Sequence, residues 1–116
     1  MNPDILQRFL RFVAEELRLP EDETGEIVAL AGRNLAFSFA RLDEALTASD
    51  AAAAGDAAHS LKGSLRNMGL ADLARRAGEI ERGTEGGSLQ GCRELLEELR
   101  AAVGPLENDR NERNTT

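Results

Sequence analysis

The chain has 116 residues, with 14 Lys and Arg against 21 Asp and Glu, for a formal net charge of −7. A chain of this length is expected to form one domain, large enough to bury a core without disulfide or metal staples. The acidic balance argues against nucleic acid and anionic membrane as partners, since both select clustered Lys and Arg. Cys92 is the only cysteine, which excludes an intramolecular disulfide and a thiolate metal cluster within one chain.

Four Phe and no Trp or Tyr leave Ala and Leu as the main apolar residues. That mix favours helix, because Ala and straight-chain residues lose little freedom there. The start, Met1-Asn2-Pro3-Asp4, lacks a basic region leading into an apolar run, and no stretch approaches a membrane span. The expected compartment is the cytoplasm.

Five helical segments follow from period and punctuation. The first runs from about Pro3 to Leu17, with Ile5, Leu6, Phe9, Phe12, Val13 and Leu17 at helical spacing. Leu19-Pro20-Glu21-Asp22 breaks it, because Pro lacks an amide donor and restricts the residue before it. The second runs from roughly Thr24 to Leu46, on a stripe of Val28, Ala31, Leu35, Phe39, Leu42 and Leu46 widened by Ile27, Leu30 and Phe37. All four Phe residues are expected in the core. The third starts after Asp50, a good N-cap, and ends near Met68, where Gly69 can take the left-handed conformation.

The fourth helix is short, Asp72 to Arg82, followed by a polar loop Gly83-Thr84-Glu85-Gly86-Gly87. The fifth runs from Ser88 to Val103, with Leu89, Cys92, Leu95, Leu96 and Leu99 inward, and stops at Gly104-Pro105. No strand pattern appears. Short loops between long amphipathic helices imply an all-α fold: an antiparallel up-and-down four-helix bundle with an additional N-terminal helix, which could cap one end. The bundle is expected over residues 1–106. Residues 107–116, all polar, are expected to form a disordered tail.

Chemistry concentrates in the third helix, Ala57-Ala58-His59-Ser60-Leu61-Lys62-Gly63-Ser64-Leu65-Arg66-Asn67-Met68-Gly69. Its inward stripe includes Ala54, Ala57, Ala58, Leu61 and Leu65. Leu61 lies roughly 200° around the helix from His59, so His59 points to solvent. Gly55, Asp56, Lys62, Gly63 and Arg66 share its face. Glycines in a helix are unfavourable by about 1 kcal/mol each relative to Ala, and beside a reactive group they give another protein access to the backbone. Lys62 and Arg66 would favour an arriving phosphoryl group. A neutral imidazole is a competent nucleophile near pH 7.

The run His59-x-x-Lys62-Gly63-x-x-x-x-x-Gly69, on an Asp-capped, alanine-rich helix, resembles the signature of histidine phosphotransfer (Hpt) domains. The resemblance extends over about Glu26 to Val103. Arg66 stands where the family often has a small residue, and Asn67-Met68-Gly69-Leu70 is similar to the family's Asn-Leu-Gly-Ala. The resemblance implies that His59 is the phosphoacceptor and that phosphate moves reversibly between it and a receiver aspartate. It implies that Lys62 orients or neutralises the phosphoryl group, that Gly63 gives the receiver room and that Gly69 is a turn residue. A polar side chain on the next helix often bonds the second ring nitrogen in such domains, and Glu81 sits where that residue would be sought. From the residues alone, Glu81 reads as a surface carboxylate or a partner of Arg75 or Arg82. The first-helix pair Phe9 and Phe12, expected in the core, could otherwise line a receiver-docking groove.

The segment from Lys62 to Arg82 holds five cations against three carboxylates, a basic zone in an acidic chain. It suits an acidic receiver site and would act mainly on encounter and specificity. The expected function is a phosphoryl carrier in a relay, with Gly55, Arg66 and Glu81 as binding residues beside His59, Lys62 and Gly63. The expected partners are receiver domains of response regulators or hybrid histidine kinases. No cofactor is expected on this chain, since the Mg²⁺ of such transfers belongs to the receiver, and a monomer is expected. No nucleotide-binding or kinase motif is present, so the chain is not expected to be an enzyme. The alternative is a non-phosphorylated helical adaptor that binds a kinase or regulator. A metal-binding bundle would need Glu-x-x-His pairs on facing helices, which are missing.

Overall fold

A computed structural model describes residues 1–106. Its elements are α1 (Pro3–Phe12), which continues into a π-helical turn (Val13–Leu17), then α2 (Glu21–Thr47), α3 (Ala51–Asn67), α4 (Ala71–Glu85) and α5 (Leu89–Val103). Short turns at 48–50, 68–70 and 86–88 join α2 to α5 as antiparallel neighbours, and α5 closes the ring against α2. The expected tail at 107–116 lies outside the described residues. Among those described there is no strand, and no helix is long and apolar enough to cross a membrane.

The inward stripes meet as the periodicity predicts. Leu35 and Leu42 of α2, Leu61 and Leu65 of α3, Ile80 of α4, and Leu96 and Leu99 of α5 are fully buried. Burial of each such side chain is favourable by about 1.5–3 kcal/mol, which is what holds these short helices together in water.

The helix ends are also built as expected. Asp50 accepts the Ala53 amide at 3.0 Å and caps α3. At its other end Gly69 takes φ +77°, while the Leu70 and Gly69 amides return to the carbonyls of Leu65 and Arg66. A Cβ at Gly69 would also lie 2.5 Å from the Phe12 ring, so this turn needs glycine twice over.

The N-terminal helix does cap one end. Asn2 Nδ2 donates to the Ala101 and Ala102 carbonyls at 3.2 and 2.9 Å, satisfying the open end of α5. At the far side of α1, Phe12 sits over Gly69 and Arg8 donates to Asp72 at 2.6 Å. The helix therefore lies across the bundle end where α5 finishes and α3 turns into α4.

Several expectations are corrected. Helix α2 begins at Glu21, directly after Pro20, whose fixed φ suits a helix start and whose missing amide is not needed there. Leu17, Leu30 and Phe37 are not core but 47%, 49% and 63% exposed. Leu17 ends a π turn, whose hydrogen bonds span one residue more than those of an α turn, so the 3.6-residue count fails there. Leu30 and Phe37 lie roughly 140° and 160° around α2 from Leu35, beyond the face the core can reach. The Arg41 guanidinium stacks over the Phe37 ring at 5.8 Å. Finally, α4 runs through Gly83, Thr84 and Glu85, and Thr84 is buried rather than in a loop.

Candidate functional site

His59 stands midway along α3 with 70% of its side chain exposed. Its ring is not free to turn. Nδ1 lies 2.9 Å from Oε2 of Glu81, on α4. The second carboxylate oxygen, Oε1, accepts from Lys62 Nζ at 2.7 Å. One carboxylate thus spans two side chains one turn apart on the facing helix. Glu81 and Lys62 are mostly covered, with side chains 21% and 24% exposed. The surface-carboxylate reading of Glu81 therefore fails, and so does its pairing with Arg75 or Arg82.

The electrostatics follow from this arrangement. Lys62, with a lesser contribution from His59, holds the Glu81 carboxyl below its ordinary value, against partial burial that works the other way. A carboxylate can only accept. Nδ1 is therefore the protonated nitrogen, and in the neutral imidazole the lone pair resides on Nε2. The exposed ring has one nitrogen tied down and the other available.

The two glycines near His59 differ in setting. A Cβ at Gly63 would meet nothing within 4 Å, so the α3 backbone is open beside the histidine. Gly55 is different: a Cβ there would lie 3.0 Å from Thr84 Oγ1, so its bareness lets α4 approach. A groove of about 360 Å³ runs from His59 past Gly55, Asp56 and Thr84 toward the start of α3.

Arg66, Arg75, Arg76 and Arg82 are exposed, and among the described residues none of them forms an ion pair. Arg66 therefore shares the face of His59 without touching it. Asp72, the one carboxylate near the basic zone's start, is committed to Arg8. Among the described residues no group of three or more His, Cys, Asp and Glu side chains is placed to hold a metal.

Two residues of the site lay outside the sequence reading. Thr84 packs on Gly55 and donates from Oγ1 to the Glu81 carbonyl at 2.6 Å. Gly78 lies under the stem of Lys62, where a Cβ would meet Cδ at 3.4 Å. The signal for Gly78 was available: Ala74 and Gly78 are small residues four apart on α4, the spacing that lets two helices close.

A family model described as "Hpt domain" matches residues 4–109, nearly the whole chain. The chain belongs to the Hpt domain family, whose members carry phosphoryl groups on histidine in two-component phosphorelays. Comparison with curated proteins and with solved structures returned no match.

Proposed function

We propose that His59 is the phosphoacceptor of a relay, taking a phosphoryl group from an aspartate of one receiver domain and passing it to another. The observation that carries this reading is the bond from His59 Nδ1 to Glu81, which leaves Nε2 as the exposed nucleophile. In the forward step the Nε2 lone pair attacks phosphorus of the aspartyl phosphate. The N–P bond forms, the P–O bond to the aspartate breaks, and the aspartate leaves as carboxylate. The imidazole keeps its Nδ1 proton, and the charge it gains faces the Glu81 carboxylate. Return transfer reverses these steps, so a carrier of this kind needs no general base.

Lys62 supplies a positive charge one turn from the phosphoryl position, and its bond to Glu81 fixes where that charge sits. Gly63 leaves the backbone open so that a receiver can bring its aspartate in line with Nε2. Arg66 and the unpaired arginines of α4 favour the acidic site of a receiver and act on encounter rate. The Mg²⁺ of the transfer is the receiver's.

The test is phosphotransfer from a phosphorylated receiver to the purified protein and to a His59→Gln variant. An acid-labile label on the native chain and none on the variant is the expected result. Label that persists on the variant would move the phosphoacceptor off His59, and none on either chain across a broad receiver panel would replace the carrier by a non-phosphorylated helical adaptor.

A further inference from the structure

Contacts between α3 and α4 around the site form three successive rungs. Gly55 faces Thr84, His59 faces Glu81, and Lys62 faces Gly78. The middle rung carries the chemistry, and each outer rung has a glycine on one side, first on α3 and then on α4. Glutamate is a short reach for two partners at once. Both contacts, 2.9 and 2.7 Å, exist only if the helices are close at that level.

We propose that Gly55 is a positioning residue, which by admitting Thr84 against the bare α3 backbone sets the spacing at which Glu81 spans His59 and Lys62. The inference deepens the carrier reading and rests on it for its consequence in phosphotransfer. Thr84 is buried and β-branched, and its hydroxyl is bound to the carbonyl of Glu81 itself. It has no long side chain to bend away. A Cβ 3.0 Å from Oγ1 is closer than ordinary contact, so an alanine at 55 requires Thr84 to give by a few tenths of an ångström, by moving the last turn of α4 outward or by turning toward loss of its bond. Either movement starts one turn from Glu81 and draws its carboxylate from Nδ1. Intrinsic helix preference points the other way, since alanine is the better helix former at an interior position. Glycine at 55 is thus opposed by local stability and favoured by spacing.

The experiment compares the native chain, Gly55→Ala and the double variant Gly55→Ala/Thr84→Ala. His59 is the only histidine, so imidazole nitrogen-15 shifts report its tautomer without assignment ambiguity. The native ring is expected wholly as the Nδ1–H form when neutral. Gly55→Ala is expected to show a mixture of tautomers, a melting temperature no lower than native, and phosphoryl acceptance slowed roughly tenfold, the scale on which loss of an orienting partner acts. The double variant returns the lost volume and is expected to recover the tautomer and the rate; it also decides the matter if the single variant fails to fold. An unchanged tautomer in Gly55→Ala overturns the proposal, whether or not the melting temperature falls. So does a double variant that stays mixed. The tautomer is read on unphosphorylated protein, so a chain that accepts no phosphate would refute the carrier reading and leave this result standing.

Discussion

Across the bundle from each other, the α3–α4 and α2–α5 seams close in different ways. Between α3 and α4 small residues meet the opposite helix, with Gly55 against Thr84 and Gly78 under Lys62, and both helices bury alanines, Ala54 and Ala58 on α3 and Ala74 and Ala77 on α4. Between α2 and α5 the bridge is made of long charged side chains. Arg93 pairs with Asp43 and bonds Thr47, while Arg100 lies over the Phe39 ring at 5.6 Å. A groove of about 620 Å³ stays open on that side, lined among others by Ala36, Ala40, Asp43 and Arg100. Close backbones hold a short carboxylate to a fixed place; long cations tolerate variation in spacing. The His59–Glu81–Lys62 cluster lies on the seam that fixes distance.

Bulk should separate the two seams most strongly. Ala58, next to His59 on α3, is fully buried, so Ala58→Leu is expected to overpack the core beside that seam and lower stability by about 1–3 kcal/mol. Ala40→Leu, exposed at the rim of the α2–α5 groove, should stay within about 0.5 kcal/mol of native. Chemical denaturation checks both, and equal losses would break the comparison.

Charge gives the next effect. The Glu81 carboxyl titrates below its ordinary value because its charged form is paired with Lys62 and His59. Its contribution to stability is therefore complete above the unfolded-state value near 4.5 and is lost as pH falls through the lowered folded-state value. Melting temperatures of the native chain and Glu81→Gln should differ at neutral pH and converge in acid. A gap that persists unchanged in acid would remove the Glu81 charge from the account. The smallest effect is expected at the other seam. Asp43 and Arg93 have side chains 40% and 35% exposed, so Asp43→Ala should cost only about 0.2–1 kcal/mol, shrinking with added salt.

The helices and their caps were legible because local chemistry determines them. Leu35, Leu42, Leu61, Leu65 and Leu96 recur at helical spacing, while Asp50 and Gly69 act within their own turns. The orientation of His59 followed from the same periodicity. Features set by contacts between helices were not legible. The π turn before Arg18 directly follows Phe12, whose contact with Gly69 joins positions some fifty residues apart in sequence. Thr84 looked like loop because it lies between Gly83 and the pair Gly86-Gly87. In the fold, Gly83 lets Cys92 Sγ come in from α5 (2.7 Å from a would-be Cβ), and Thr84 finds Gly55. Glu81 had several cations to choose from along its own helix, and only the placement of α3 decides for Lys62.

The clasp of Asn2 on the end of α5 also brings the two ends of the described chain together. The Asn2 amide donates to the Val103 carbonyl at 2.6 Å, and the amino group of Met1 donates to the carbonyl of Pro105. Topologically the domain is nearly a closed loop, with its joint on the capped end and the helix that carries His59 elsewhere on the circuit. Such a shape can be spliced into a host chain at a single point without stretching the host, and the splice falls away from the face that a receiver would approach.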